Sequence, residues 1–211
     1  PEVQAAAPSL RTGVQVVAAN VNWSTAAMGT TADYLEVRDW PLAHGRNFEP
    51  AEQAGSGKVV LLGQTVAREL FGDADPIDQM IRVRKLPLQV VGVLSTKGQN
   101  SMGQDQDDVI LVPLSTYRNR IQGMSAGRIK RVGAISVKVR EGQSMAEAGE
   151  KIRELLRQRH RLQSGAEDDF SLRNLTEMLQ AQEESSRVMA LLLAAVAGVS
   201  LVVGGIGIMN I

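Results

Sequence analysis

The sequence has no cysteine, few aromatic residues and no net charge. The lack of cysteine excludes disulfide bonds and thiol chemistry, and it leaves the cellular compartment open. Lys plus Arg number 23, as do Asp plus Glu, and aromatic residues make up 3% of the chain. Nucleic-acid-binding proteins usually carry an excess of basic residues, and they stack bases on aromatic rings. Nucleic acid is therefore not expected among the partners.

Patterns typical of a catalytic or cofactor site are also scarce. The segment GSGKVV resembles the end of a phosphate-binding loop, but Lys58 is followed by Val59 instead of Ser or Thr. A strand pattern also follows this segment instead of preceding it. Of the two histidines, His44 falls in a predicted turn and His160 ends a predicted helix, where a cation suits the helix dipole. We expect no catalytic site, no metal site and no cofactor in this chain.

A long apolar run, LLLAAVAGVSLVVGGIGIMNI, covers residues 191–211 without a charged residue. The last charge before it is Arg187, and residues 188–209 would extend about 33 Å as a helix. A bilayer hydrocarbon core is about 30 Å thick and needs about 20 apolar residues. A core helix of a soluble domain usually carries a polar stripe, and this run has none. The run therefore predicts the first part of a transmembrane helix in a lipid bilayer, within a longer membrane protein.

Small residues recur in this region at spacings that favour close packing of membrane helices. Ala190, Ala194 and Gly198 share one helical face, and three glycines follow, namely Gly204, Gly205 and Gly207. We expect these residues to form a surface for helix packing and coupling.

The preceding sequence predicts a mixture of strands and helices, an α+β fold. Apolar runs and apolar–polar alternation predict strands at residues 14–21, 59–63, 81–86, 88–94, 109–114, 134–140 and 169–175. In the third of these, Lys85 is expected on the same face as Ile81 and Val83. A glycine–threonine turn is expected at 29–31, and a flexible linker at 51–58.

Helices are predicted from periodicity and capping residues. They cover residues 32–40 with Thr31 as N-cap, residues 64–71 before Gly72, and a segment that starts at Ser144 with Glu147 in a capping box. A last helix is expected from about residue 176, continuing without interruption into the apolar run.

A long polar segment without periodicity, STKGQNSMGQDQDD, separates the two apolar strands at 88–94 and 109–114. Its acidic end lacks the spacing of a calcium-binding loop, so a solvated loop is favoured. We expect its part from residue 97 to 108 to be mobile, with few contacts, and replaceable by a short glycine linker without loss of folding. It is a candidate surface for a partner or substrate, with Lys97, Gln99, Asn100, Asp105, Asp107 and Asp108 as its candidate contact residues.

The most specific segments are GQTVARELFG at 63–72 and GGIGIMNI at 204–211. Together with LAHGRNF, LQVVGVLSTKGQ, DQDDVILVPLST and DFSLRNLTEM, they resemble, in the same order, the MacB-like ABC transporter permeases of the wider FtsX-like group. The resemblance covers essentially the whole chain. One departure is Asp78 in ADPIDQ, where the family more often has glycine, and it bears on the local turn.

The resemblance implies an extracytoplasmic domain between the first two transmembrane helices. It implies a discontinuous porter-like subdomain at 1–54 and 131–175, and an inserted Sabre-like α/β subdomain at 55–130 that faces outward. Residues 176–211 would form a stalk and the N-terminal part of a transmembrane helix. Residues 1 to about 187 would lie in the periplasm of a bacterial inner membrane.

The resemblance also implies a mechanism without a catalytic site in this chain. Such permeases work as homodimers joined through membrane helices, and an ATP-binding domain or subunit drives motion that reshapes the periplasmic domains. In tripartite pumps they cooperate with a periplasmic adaptor and an outer-membrane channel to export periplasmic substrates. A lipoprotein-releasing or cell-wall-hydrolase-regulating permease of the same superfamily is the alternative function. A membrane-anchored enzyme is disfavoured, because no catalytic pattern is found.

The sequence predicts that this 211-residue chain binds neither Mg-ATP nor Ca²⁺ or Zn²⁺, because it lacks a phosphate-binding loop and a ligand cluster. Isothermal titration calorimetry should show no specific heat of binding for any of the three. Micromolar binding of one of them would reveal a site that the sequence pattern does not show.

Overall fold

The computed structural model describes residues 2–100, 102–122, 132–163, 165–175 and 184–198. The chain divides into two compact units, Pro1–Gly142 and Gln143–Ile211. The strands of the first unit are β1 (Val3–Ala18), β2 (Val21–Thr30), β3 (Leu42–Gly45), β4 (Val59–Leu62), β5 (Met80–Val83), β6 (Leu86–Leu94), β7 (Val109–Pro113) and β8 (Ala134–Val139). Its helices are α1 (Asp33–Val37), α2 (Pro50–Ala54), α3 (Gln64–Phe71), α4 (Leu114–Thr116) and a π-helical turn (Tyr117–Ile121). In the second unit, α5 covers Met145–His160.

Six strands of the first unit form a closed circuit of backbone pairings. In order, the circuit is β1, β2, β7, β4, β6 and β5, and β5 pairs again with β1. The first half of β1 extends beyond the circuit and pairs with β8, and β3 pairs with β6. Strands from both sides of residue 55 therefore share one sheet. The division into porter-like and Sabre-like subdomains stays a prediction.

The apolar strands β4 and β7 lie in the middle of this unit and are buried along their whole length. Continuous apolar runs are typical of strands that are covered on both faces. Alternate residues enter different apolar clusters, because successive side chains of a strand point to opposite faces. One cluster contains Val60, Leu62, Ile110 and Val112, and the other contains Val59, Leu61, Val109 and Leu111. The strands predicted at 59–63, 88–94 and 109–114 are thus confirmed.

Helix α3 is also confirmed, and it presents one apolar face to the first of these clusters. Val66, Ala67 and Leu70 are buried on that face. The helix ends at Gly72, whose φ of +59° lies in the left-handed region that favours glycine.

Asp78, which stands where the family more often has glycine, forms the local turn. Its φ is +61°, a conformation that explains why glycine suits this position. Gln89 Nε2 donates to Asp78 Oδ1 at 3.0 Å, and the Asp78 amide donates to the Val90 carbonyl at 2.9 Å. Asp tolerates the left-handed region better than most residues because its short side chain bonds locally.

Three expectations for the N-terminal region are wrong. The strand predicted at 14–21 is interrupted by a turn, since β1 ends at Ala18 and β2 begins at Val21. Gly29 and Thr30 do not form a turn but end β2, where Thr30 pairs with Pro113 and its hydroxyl donates to the Pro8 carbonyl. Thr31 is not the N-cap of α1, since that position is taken by Ala32 without a side-chain cap. The pairing of β2 with β7 outweighs the local turn preference of glycine and threonine.

The expected flexible linker at 51–58 is partly wrong, because α2 occupies its first half. Glu49 and Glu52 form a capping box around this helix, and Pro50 stands in its first turn. Arg46 also holds Glu52 with two hydrogen bonds, of 2.9 and 2.7 Å. This ion pair lowers the pKa of the Glu52 carboxyl, with burial acting in the opposite direction.

Two further expectations are corrected. Lys85 is exposed in the two-residue connection between β5 and β6, so only Ile81 and Val83 of the predicted face are buried. Residues 169–175 do not form a strand. Instead, Asp168, just before this segment, pairs with Arg153 and Arg157 of α5, and Asp169 lies beside His160.

The second unit is organised by α5, which begins at the predicted N-cap. The Ser144 hydroxyl accepts the Glu147 amide at 3.3 Å. Near the other end, Arg153 and Arg157 both bind Asp168. His160 Nδ1 lies 2.7 Å from Asp169 Oδ1, which gives this histidine a structural partner.

The helix at residues 184–198 is apolar after residue 187 and exposed throughout. Its large apolar side chains are between 53% and 70% exposed, namely Val188, Met189, Leu191, Leu192, Leu193 and Val196. Over the part of the chain that the structure describes, no helix is both long and apolar enough to cross a membrane. The predicted helix start near residue 176 and the run after residue 198 lie outside the described residues.

Close packing at Gly29 predicts a large effect of a single methyl group. A Cβ atom at Gly29 would lie 2.3 Å from Cβ of the buried Tyr117, so Gly29→Ala should lower the free energy of unfolding by about 1–3 kcal/mol. Gly13 lies in the same hairpin, and a Cβ there would meet nothing within 4 Å. Gly13→Ala should change stability by no more than about 1 kcal/mol. Urea unfolding of both variants tests this, and equal stabilities would contradict it.

Candidate functional site

The candidate contact segment at residues 97–108, called the polar loop below, contains many hydrogen bonds from its own side chains in its described part. Asp107, only 3% exposed, is its centre. The Asp107 carboxylate accepts the amides of Lys97 and Gly98, each at 2.8 Å. A buried carboxylate with two amide donors joins the start of the loop to its end. The expectation that this segment makes few contacts is therefore wrong, and its mobility stays a prediction.

The outer part of the polar loop is a tight turn around Asn100. Asn100 Oδ1 accepts the amides of Met102 and Gln104, each at 2.9 Å, and the Gly103 amide donates to the Asn100 carbonyl at 2.9 Å. Gln99 and Asp105 form an antiparallel bridge below this turn. Met102 remains 79% exposed at the tip. The turn therefore presents an apolar side chain on an ordered support.

The two tryptophans of the chain hold the two ends of this region. Trp40 Nε1 donates to the Ser95 carbonyl at 2.7 Å, just before the polar loop. Trp23 Nε1 donates to Asp108 Oδ1 at 2.9 Å, at its last residue. Indole N–H groups usually find such partners when the ring is buried.

Lys97 is half-buried, and its ammonium group is held by contacts within the fold. Its ammonium group donates to the Arg38 carbonyl at 2.6 Å and lies 5.2 Å from the ring centroid of Trp40. Burial lowers the pKa of Lys97, and the nearby Arg38 lowers it further, because both disfavour the charged form.

The start of α3 supports the polar loop from below. A Cβ atom at Gly63 would lie 2.1 Å from the Asp107 carbonyl oxygen, so the backbones touch here. Gln64 Nε2 donates to the Leu94 carbonyl at 3.0 Å, and the Thr65 hydroxyl donates to Asp105 Oδ2 at 2.6 Å. These contacts give a structural role to the first three residues of the GQTVARELFG segment.

The carboxylates of the polar loop are therefore engaged with protein donors. Asp105 accepts the Thr65 hydroxyl and the Asp107 amide, and Asp108 accepts the Trp23 indole. Across the described ranges, no group of three or more His, Asp or Glu side chains is arranged to hold a metal ion. The exposed residues of the loop include Gln99, Met102 and Gln104 and the charged Asp105.

The small-residue face is only partly described. Ala190, Ala194 and Gly198 lie on the exposed helix 184–198, and a Cβ at Gly198 would meet nothing within 4 Å. The other three glycines of this candidate surface, Gly204, Gly205 and Gly207, lie outside the described residues.

Sequence reasoning missed the residues that support the polar loop. Trp23 and Trp40 lie 85 and 55 residues from the groups that they bind, and Thr65 lies 40 residues from its partner. No local pattern reports such distant contacts. The single available signal was the GQT triplet, which the resemblance marked as specific.

The buried Asp107 should be important for stability. Asp107→Ala would leave the amides of Lys97 and Gly98 without an acceptor, which costs about 1–3 kcal/mol for each buried group. Urea unfolding should therefore show a clear loss, whereas Asp73→Ala, at an exposed aspartate, should stay within about 0.5 kcal/mol of the wild type. A wild-type midpoint for Asp107→Ala would restore the view of a dispensable loop.

Comparison with known proteins gives a consistent result. The model of the MacB-like periplasmic core domain family matches residues 1–155. The macrolide export ATP-binding/permease protein MacB of Syntrophobacter fumaroxidans is 36% identical over 260 residues, which covers 100% of this chain and 36% of that protein. The pyoverdine export ATP-binding/permease protein PvdT of Pseudomonas syringae pv. tomato is 35% identical over 193 residues, which covers 91% of this chain and 28% of that protein. The chain thus spans about a third of the length of these relatives.

The fold is also found among solved structures. The crystal structure of the periplasmic region of MacB from Actinobacillus actinomycetemcomitans matches with a TM-score of 0.71 and 24% identity, covering 86% of this chain and 77% of that one. At this identity the likeness shows the mixed α+β fold alone. The family match and the whole-chain identity carry the assignment further: the chain belongs to the MacB-like periplasmic core domain family, the extracytoplasmic part of an ABC transporter permease.

Proposed function

We propose that this domain transmits ATP-driven motion across the inner membrane and so drives export of periplasmic substrates. The functions named for its relatives, macrolide export and pyoverdine export, support an export role. The ATP-binding domain or subunit supplies the energy, and the described domain contributes movement without a cofactor or a catalytic site of its own.

The exposed apolar helix at 184–198 is the observation that carries this proposal. Burying a large apolar side chain contributes about 1.5–3 kcal/mol, so a helix with six such side chains exposed has a strong tendency to be covered. The apolar sequence continues through residue 209. A lipid bilayer and neighbouring membrane helices are the natural environment for such a segment.

The finer organisation is part of the same proposal. Residues 1–54 and 131–175 form the porter-like subdomain, 55–130 the outward-facing Sabre-like insert, and 176–211 the stalk that continues as a long helix into the membrane. The protein acts as a homodimer through its membrane helices, and residues 1 to about 187 lie in the periplasm. A periplasmic adaptor and an outer-membrane channel complete the export path.

The polar loop is the proposed contact surface for the adaptor or substrate. Its support by Asp107 and by the two tryptophans favours this role, because an ordered loop loses little conformational entropy on binding. The exposed Met102 is the apolar centre of that surface, which includes the adjacent Gln99 and Gln104.

The coupling proposal predicts that bulk on the small-residue face uncouples transport from ATP hydrolysis. A Cβ at Gly198 would meet nothing within 4 Å in this chain, so Gly198→Leu should disturb only a contact with another helix. Replacing Ser185 and Ser186 by Gly and Pro should also abolish coupling, since an interior proline breaks a helix at a cost of about 3 kcal/mol. The full-length protein should keep nucleotide binding while substrate export falls.

The measurement is export, or drug resistance, beside the ATPase rate of each full-length variant. Val196→Phe adds bulk on the opposite face of the same helix and serves as the control, with export expected to stay near the wild-type level. Full export by both Gly198→Leu and the Gly–Pro variant would show that the helix is only an anchor.

A further inference from the structure

Positive charge is concentrated in one part of the first unit, although the whole chain is neutral. The sequence contains no Asp or Glu between Gln79 and Gln104, nor between Val109 and Arg140. The fold brings parts of these two stretches together. Arg84 and Lys85 of the β5–β6 hairpin and Arg120 of the π-helical turn line one surface cavity with Val83 and Leu86. This group of five residues is called the basic cavity below.

Arg84 occupies a backbone position that normally favours glycine. It is the first residue of the two-residue connection between Val83 and Leu86, and its φ is +56°. Two-residue hairpin loops prefer Gly, Asn or Asp at positions with positive φ. A long cationic side chain at such a position is a local cost to stability, and strained residues of this kind cluster at functional sites.

Arg84 is also fixed in place beside Arg120. Its Nη1 donates to the carbonyl of Ile121 at 2.8 Å, which anchors the guanidinium against the π-helical turn. The rest of its donor fork is not used by this bond. The cavity therefore has one preorganised guanidinium, with a second guanidinium and an ammonium group beside it.

The charges of the basic cavity are not neutralised from within the described part of the chain. There, no carboxylate lies within salt-bridge distance of Arg84, Lys85 or Arg120, and the lining of the cavity contains none. Some exposed cations elsewhere on the surface are paired, as Arg46 is with Glu52 and Arg153 with Glu150. The three cationic side chains of the basic cavity are therefore available to an anionic ligand.

We propose that the basic cavity binds a phosphate group. Three cationic side chains suit a multiply charged anion better than a single carboxylate, and the fork of an arginine matches phosphate geometry with two parallel hydrogen bonds. Val83 and Leu86 in the wall of the cavity leave room for a carbon skeleton beside the phosphate. The phosphate belongs either to a soluble molecule or to a lipid headgroup, and the two sources can be separated experimentally.

Isothermal titration calorimetry of the full chain with inorganic pyrophosphate in Mg²⁺-free buffer tests the soluble source. Mg-ATP is a poorer ligand for this site, because its bound Mg²⁺ neutralises part of the phosphate charge that the cations would recognise. The wild type should bind, and its affinity should fall as ionic strength rises, because exposed charges are screened. K85Q and R120Q should each weaken binding about tenfold, since each removes a charge-assisted hydrogen bond. R84G should also weaken binding while the protein stays folded, because glycine adopts this φ without strain. R68Q, at an exposed arginine of α3, is the matched control and should bind like the wild type.

Co-sedimentation with phosphatidylglycerol vesicles tests the lipid source. The apolar run can itself bind the chain to vesicles. The informative quantity is therefore the difference in apparent vesicle affinity between the wild type and R120Q. A difference of about tenfold supports a lipid headgroup, whereas equal sedimentation together with variant-dependent pyrophosphate binding supports a soluble phosphate. Hexaglutamate that binds as tightly as pyrophosphate would overturn the proposal in favour of an acidic protein partner. The proposal would also be overturned if the wild type bound pyrophosphate no better than K85Q and R120Q and sedimented with vesicles no better than R120Q.

Discussion

The length of β1 is the constraint on which the first unit depends. This one strand pairs with β8 through its first half and with β2 through its second half. Val16 is paired on both edges, with Trp23 of β2 and with Val83 of β5, and this double pairing closes the circuit of strands. Closure satisfies the backbone donors and acceptors of the strands in a region where water is excluded. Apolar side chains fill most of the enclosed space, among them Val14, Val16 and Ala18.

Strand order determines where the polar loop must run. β4 lies between β6 and β7, parallel to the first and antiparallel to the second. The end of β6 and the start of β7 therefore lie at the same edge as the end of β4, and the connection between them passes over Gly63. The absence of a side chain at Gly63 follows from this crossing, since the Asp107 carbonyl occupies the space of its Cβ. Gln64 and Thr65 are the next residues along α3, and they bond to the same connection.

The sequence was informative where local pattern and final environment agreed. Burial and capping produce patterns among neighbouring residues in the sequence. These patterns predicted the apolar runs of β4, β6 and β7, the buried face of α3 and the Ser144 cap. The first half of β1 was not, since its VQAAAPSLRTG sequence has no strand alternation and is held by β8, which lies more than a hundred residues away. Composition identified the candidate residues of the polar loop, but it did not predict the hydrogen bonds that hold them. Asp107 looks like one of several solvated acids in the sequence, and only the fold turns it inward.

The placement of the two tryptophans has an optical consequence. The chain has only two, and the indole nitrogen of each donates to one end of the region between β6 and β7. Intrinsic tryptophan emission of the domain is therefore dominated by the surroundings of this one connection, and Lys97 lies over one of the two rings. The wild-type protein thus carries its own fluorescent reporter for the polar loop, without an added dye or an engineered residue.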